Sequence, residues 1–315
     1  MASIALVGTG LVGRAWAISF ARAGHQVRLF DEAAELADKA VAFASEMLSL
    51  LAAEDLLDRQ SPGEVAARLR IVDSLEAALD GAVHVQESTP EDLDVKKRVF
   101  GRLDRIASPE TVLASSTSAI LPSLFTEALA GRKRCLVVHP INPPYLIPAA
   151  EIVPAPWTDA AVVEKTRALM AAAGQAPIVM KRELDGFVMN RMQGALLEEA
   201  FRLVADGYAT VEDVDVGIRA GLALRWSFMG PFETIDLNAP GGIGDYVVRY
   251  QQIYSRLFPS MQRRVDWAGD VLAVAERERR ARLAASELQQ RQRWRDRRLM
   301  ALVAHKRRAD RDIGT

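Results

Sequence analysis

The chain has 315 residues, half of them hydrophobic, with 40 Lys and Arg against 41 Asp and Glu and a formal net charge of −1. That length exceeds a single average core, so two domains of about 100–200 residues are expected, and the near-neutral balance excludes a general attraction to nucleic acid or anionic membrane. The lone cysteine, Cys135, excludes an internal disulfide, no run of about 18 apolar residues marks a membrane span, and no basic-then-apolar leader precedes the first strand, so a soluble cytoplasmic protein is expected.

The apolar run Ile4–Val7 predicts a strand and leads into Gly8-Thr9-Gly10-Leu11-Val12-Gly13, which opens a helical pattern over Val12–Ala23. A second strand, Gln26–Phe30, ends at Asp31. In such a unit Gly8 permits a tight turn, Gly10 lets a pyrophosphate approach the backbone, and Gly13 lets helix and strand pack closely. The pyrophosphate would rest on the positive end of the helix at Leu11 and Val12. Asp31 would accept hydrogen bonds from the adenosine ribose and repel a 2′-phosphate, which favours NAD over NADP, although a flavin uses the same opening.

Further strands are expected at Ala82–Gln86, Val112–Ser115, Cys135–Val138 and Ala176–Met180, with helices at Ala33–Ala53, Leu93–Ile106 and Pro122–Leu129. The alternation argues for an α/β domain with a parallel-sheet core of the Rossmann type, spanning 1–185. Ser61-Pro62-Gly63-Glu64 carries the capping-box spacing of a helix start. From Gly186 the pattern is helical only: Phe187–Asp206, a segment opened by Thr210 with Asp213 three residues on, Phe232–Leu237, Tyr246–Leu257 and a long C-terminal stretch. The second domain is therefore expected to be all-α and to span 186–315.

The stretch from His139 to Glu151, HPINPPYLIPAAE, carries the candidate chemistry. Pro140, Pro143, Pro144 and Pro148 restrict φ and remove backbone donors, so a rigid loop that is neither helix nor central strand is expected. Of four histidines, His25 sits at a helix-to-strand turn, His84 in a strand and His305 in a basic tail, so only His139 ends a predicted parallel strand, where open α/β sheets bind ligands. With Glu151 in reach it makes a general base whose ring is set by a partner. The hydroxyls of Ser115-Ser116-Thr117-Ser118 should reach the same edge. Asn190, expected one turn inside the first helix of the second domain, would add an amide. No cluster has metal-ligand spacing.

The motifs GTGLVG with Asp31, PEDLDVKK, SSTSA, HPINPP, Glu151, DGFVMNR and MGPFET together resemble the L-3-hydroxyacyl-CoA dehydrogenase superfamily over nearly the whole chain. HPINPPYLIP, LRWSFMGPFETIDLNAPGG and RQRWRDRRLMALVAHKRR look closer still to its lambda-crystallin branch, whose enzymatic members are L-gulonate 3-dehydrogenases. The resemblance implies that His139 is the catalytic base, Glu151 its orienting carboxylate, and Ser118 and Asn190 substrate contacts. It further implies that Asn142 lies near the active site, that Glu91 and Lys96 contact the NAD ribose and neighbouring cofactor groups, and that the second domain forms a homodimer interface. Read without it, Glu91 and Lys96 are a solvated helix start.

The substrate is expected to be a small free 3-hydroxy acid, L-gulonate first. In Ala33–Leu57, Glu35, Asp38, Glu46, Glu54 and Asp55 face Lys39 alone, a poor partner for the phosphates of coenzyme A. Arg225 is the candidate cation for a free carboxylate, with a surface salt bridge as the alternative. A short-chain 3-hydroxybutyryl-CoA dehydrogenase, an L-carnitine dehydrogenase and a non-catalytic, crystallin-like NAD-binding structural protein remain as other readings. Residues 276–311 hold 13 Arg and Lys against five acids, but Leu283, Leu288, Trp294, Leu299, Leu302 and Val303 interleave them, so an amphipathic helix with a solvated basic face is expected.

Overall fold

The computed structural model describes residues 2–314, which divide into two compact units. The first runs through Met189 and takes in Asp296–Ala304; the second comprises Asn190–Arg295 and the segment from His305. The second unit begins at Asn190, four residues after the expected start of the second domain at Gly186, and part of the C-terminal helix counts with the first unit.

In the first unit, strands β1 (Ser3–Val7), β2 (Gln26–Phe30), β3 (Leu69–Ile71), β4 (His84–Glu87), β5 (Val112–Ser115), β6 (Cys135–Pro140), β7 (Ala149–Pro154) and β8 (Ala176–Val179) form one sheet in the order β3-β2-β1-β4-β5-β6-β7-β8. Helices α1 (Leu11–Arg22), α2 (Ala34–Ala53), α3 (Pro62–Ala66), α4 (Leu75–Leu79), α5 (Leu93–Ile106), α6 (Pro122–Thr126) and α7 (Ala160–Ala172) connect the strands. Alternation within each strand feeds two separate cores. Ile4, Leu6, Ala114, Leu136, Val138 and Ile152 join one, while Ala5, Val7, Leu113, Cys135, Val137 and Val153 join the other. With both faces covered, β1, β5 and β6 carry continuous apolar runs in sequence, Ile4–Val7, Val112–Ala114 and Cys135–Val138.

Two expectations need correction. The pairing of β6 with β7 is antiparallel and β7 pairs β8 in parallel, so the last two strands run against the rest of a mostly parallel sheet. The segment taken as a rigid loop contains strand at both ends, because β6 extends through Pro140 and β7 starts at Ala149. Only the residues between are loop, and β6 is central, lying between β5 and β7. Pro140 is tolerated as the last residue of its strand, where no further ladder donor is needed. Cys135 is fully buried, and burial pushes its thiol up to about 12, so it is no nucleophile near neutral pH.

His84 shows what the packing demands of a polar strand residue. It is buried, with Nε2 at 3.0 Å from Gln86 Oε1. The Gln86 amide nitrogen donates to Ser116 Oγ at 2.7 Å and to the Val138 carbonyl at 3.2 Å, so its oxygen must accept and His84 Nε2 must carry the proton. The unpartnered Nδ1 then lies in the core, and burial lowers the His84 pKa to about 4. In an unfolded chain His84 binds a proton nearer pH 6.5, so the stability linked to its neutral form is complete above pH 6.5 and falls away as the pH drops toward 4. Between pH 7 and pH 5 this loss should be about 2 kcal/mol. Urea denaturation at the two pH values, compared with His84→Gln, should show that extra dependence in the parent alone.

The second unit contains α8 (Met189–Ala205) from Asn190 on, α9 (Val211–Val216), α10 (Ala223–Trp226), α11 (Pro231–Leu237), α12 (Gly242–Met261), α13 (Asp270–Arg282) and the parts of α14 (Leu288–Asp312) outside Asp296–Ala304. Thr210 and Asp213 form the expected capping box at α9, as Ser61 and Glu64 do at α3. A π-helical turn, Gly217–Leu222, joins α9 to α10. In α14, Met300 is buried, and with Leu299, Val303 and Ala304 it packs on the core of the first unit; of the other apolar positions expected of that helix, Leu288, Trp294 and Leu302 are exposed and Leu283 caps α13. Among the described residues, no helix is long and apolar enough to cross a membrane.

Candidate active site

The carboxyl ends of β1, β4, β5 and β6 lie at one edge of the sheet, together with the amino end of the reversed β7. At β1, Gly8 has φ +89°, and an added Cβ would lie 2.7 Å from the Ser88 backbone. At Gly13 an added Cβ would meet the Gly8 carbonyl oxygen at 1.9 Å. Both positions therefore require glycine on contact grounds. Gly10 differs: nothing lies within 4 Å of where its Cβ would be, and it caps α1 without any side-chain acceptor. The turn thus presents open backbone and the bare amino end of α1, with Leu11 exposed, which suits a pyrophosphate. Asp31 Oδ2 accepts from the Thr9 amide at 2.7 Å and its hydroxyl at 3.1 Å, and Oδ1 accepts from the Ala33 amide at 3.1 Å. Three bonds leave room among about four acceptor sites for a ribose hydroxyl. These residues fit an NAD adenosine diphosphate half.

The loop after β4 rests on a residue that sequence reasoning missed. Glu87 is fully buried; its Oε1 accepts from Lys96 Nζ at 2.8 Å and from the Thr89 amide and hydroxyl at 2.5 Å each, and its Oε2 accepts from Ser115 Oγ at 2.6 Å. Lys96 also donates to the Thr89 carbonyl at 3.0 Å. Lys96, expected to contact the cofactor, is 1% exposed and paired with Glu87, as a buried ammonium needs, and so braces the loop after β4 from beneath. The signal available was a glutamate closing a strand whose other residues alternate polar and apolar, His84-Val85-Gln86. Glu91 is exposed, and its Oε1 accepts from Thr117 Oγ1, from the Ser118 amide at 3.0 Å and from the Ala119 amide at 3.1 Å. It therefore fixes the turn that presents Ser118 at the surface. Ser116 is turned inward, bonded to Trp16 Nε1 at 3.2 Å and Ser88 Oγ at 2.9 Å.

His139 and Glu151 are directly opposed across the antiparallel β6–β7 pair, so 12 residues of chain separation become cross-strand adjacency on one face. His139 Nδ1 lies 2.7 Å from Glu151 Oε2, and both groups are buried. An ionised carboxylate only accepts, so Nδ1 carries the proton and Nε2 keeps its lone pair. Glu151 Oε1 accepts from the Val188 amide at 2.7 Å and the Met189 amide at 2.9 Å, which satisfies the buried charge on both oxygens. Phe187 completes the setting. It is buried at φ +48°, a conformation that bulky residues rarely adopt, with its ring 5.5 Å from the imidazole. A carboxylate and an aromatic wall together restrict the imidazole to one orientation, with one nitrogen left to exchange a proton.

Asn142 is exposed in the loop between β6 and β7. Asn190 is the second residue of α8, at the helix start and not one turn inside it. In the second unit Arg225 is exposed, with Nη1 at 3.4 Å from Asn238 Oδ1 and no carboxylate partner among the described residues. No group of three or more His, Cys, Asp or Glu suited to hold a metal ion occurs among the described residues.

Two family models match the chain: the 3-hydroxyacyl-CoA dehydrogenase NAD binding domain over residues 3–183, and the 3-hydroxyacyl-CoA dehydrogenase C-terminal domain over residues 186–271. A lambda-crystallin homolog of Bos taurus is 40% identical over 306 residues, covering 95% of this chain and 94% of its own. An L-carnitine dehydrogenase of Streptomyces griseus is 41% identical over 245 residues, covering 76% of this chain and 70% of its own. Among solved structures, the NAD+-dependent dismutase 5-formyl-3-hydroxy-2-methylpyridine 4-carboxylic acid 5-dehydrogenase superposes with a TM-score of 0.81 at 28% identity, covering 98% of each chain.

Proposed function

The chain belongs to the 3-hydroxyacyl-CoA dehydrogenase family, in its lambda-crystallin branch, and is an NAD-dependent dehydrogenase; from that premise we propose that it oxidises the C3 alcohol of a small free 3-hydroxy acid, L-gulonate foremost, to the 3-keto acid. The observation that carries the reading is the buried His139–Glu151 pair, at 2.7 Å, on the sheet edge that also bears the glycine turn. Bound NAD supplies the hydride acceptor, at the nicotinamide ring. His139 Nε2 takes the hydroxyl proton as the C3 hydrogen departs, and Glu151 holds the tautomer and offsets the charge that the imidazole gains. Ser118 and Asn190 hold the reacting oxygen, Asn142 borders the substrate, and Gly8, Gly10, Leu11, Val12, Gly13, Asp31 and Glu91 hold the cofactor.

The free-acid reading rests on charge and on likeness. Against the anionic Ala33–Leu57 excursion stands the exposed Arg225, whose fork matches a carboxylate. The carnitine and pyridine-carboxylic-acid dehydrogenases described above are named for free acids. Arg225→Met should raise the KM for L-gulonate about tenfold or more, the loss of one charge-assisted pair, with the NADH affinity unchanged. Steady-state kinetics with fluorescence titration of NADH measure both, and an unaltered KM removes Arg225 from the site.

The working enzyme is proposed to be a cytoplasmic homodimer. Val248, Ile253, Leu257 and Phe258 of α12 are exposed, as is Phe232 of α11, an apolar surface larger than single scattered residues account for. Sedimentation at micromolar concentration should give the dimer mass.

A further inference from the structure

The basic run near the C-terminus has no part in the chemistry above, yet three of its arginines converge. Glu212, Asp215 and Arg219, spaced three and four apart on α9 and the π-helical turn that extends it, share one helix face. Arg279 and Arg282, three apart on α13, meet them there, and Arg291 of α14 closes the ring. Together with Leu283 these residues line a cavity of 310 Å³, wholly inside the second unit. That volume is at the lower end for small-molecule sites.

The charges do not cancel. Glu212 pairs with Arg219 and with Arg282, each at 3.2 Å, and Asp215 pairs with Arg279 at 3.4 Å. Four guanidiniums against two carboxylates leave two positive charges. Arg291 has no carboxylate partner among the described residues; its guanidinium lies 3.4 Å from the centre of the Trp294 ring, one turn along the same helix. Stacking holds the planar group by its face and leaves its N–H edge for an acceptor. An ion-pair network built only to solvate the surface would balance its signs. The π-helical turn is a second departure from regular structure at the same place, and such turns cluster at binding sites.

We propose that this cavity is a binding site for a dianionic phosphoryl group, free phosphate or a small phosphomonoester, held by Arg291 and by the guanidinium edges of Arg219, Arg279 and Arg282. Two charges match the excess, and planar guanidiniums suit tetrahedral oxyanions. The near absence of apolar lining excludes an aromatic or acyl ligand. The site is independent of the catalytic reading, since no residue is shared.

The test is calorimetric titration of inorganic phosphate, and separately of ribose 5-phosphate, into full-length protein saturated with NADH, so that the pyrophosphate cradle is filled, at constant ionic strength. One saturable site per chain is expected, weakened about tenfold or more in Arg291→Gln and in Arg282→Gln, as the loss of one charge-assisted contact requires. Arg167→Gln, which removes an exposed arginine of the first unit, should bind as the parent does. Tighter binding of ribose 5-phosphate points to a phosphorylated metabolite and equal binding to phosphate itself. Heats no larger than those of sodium chloride, or saturation unchanged in Arg291→Gln and Arg282→Gln, overturn the proposal. NADH affinity and circular dichroism of each variant establish that it is folded, so a lost signal reports the site.

Discussion

His139→Gln is expected to lower kcat by about 10²–10⁴, the usual contribution of a positioned general base, while NADH binds with its normal affinity. The split between the two readouts follows from the geometry. His139 meets Glu151 and Phe187 at the end of β6, whereas the glycine turn and Asp31 are built from β1, α1 and β2. Glutamine fills much of the imidazole's space and can donate to Glu151, so the buried carboxylate stays partnered and the fold should survive. It has no nitrogen lone pair of comparable basicity. Near-normal turnover in this variant removes His139 from the chemistry.

Glu151→Gln should cost nearly as much by a different route. The amide oxygen can still accept from the Val188 and Met189 amides, which places the –NH2 group toward His139 Nδ1. That nitrogen must then accept, so the ring proton moves to Nε2, the position that has to receive the substrate's proton. A loss of about 10²–10⁴ in kcat is expected, with KM for NAD little changed. Because both substitutions disable one unit, the double variant should be scarcely slower than either single one. Additive losses would show that Glu151 acts apart from the imidazole. Glu151→Ala goes further, because it strands two amides and a buried imidazole N–H, and it should also lower thermal stability.

Much of this was legible in the sequence, for identifiable reasons. The β1 glycine turn and Asp31 follow strict local rules, strands covered on both faces advertise themselves as apolar runs and half-covered ones by alternation, so Val112–Ser115 and Gln26–Phe30 fall where expected. What failed was the reading of charge inside strands. Glu151 is the third of six residues in β7, flanked by apolar residues after a proline-rich loop, and a carboxylate there reads as loop; its burial is explained only by donors from His139, Val188 and Met189, two of them 37 and 38 residues away. The reversal of β7 went unseen with it. Lys96 and Glu87 failed likewise: each looks solvated alone, and only their pairing makes burial tolerable. A capping box announced one helix start in each unit, at Ser61 and at Thr210. The arginine cavity did not show itself, because it joins residues some 60 to 80 positions apart whose common face exists only after folding.

The central claim is that the His139 site oxidises a small free 3-hydroxy acid with NAD. It is tested most directly by following NADH absorbance with L-gulonate, L-3-hydroxybutyrate, L-carnitine and acetoacetyl-CoA side by side. The account predicts the highest kcat/KM for L-gulonate, weaker turnover of L-3-hydroxybutyrate, and little with carnitine or the CoA thioester. A kcat/KM for acetoacetyl-CoA above that of every free acid would contradict it, as would the absence of turnover with all four by a protein that binds NADH.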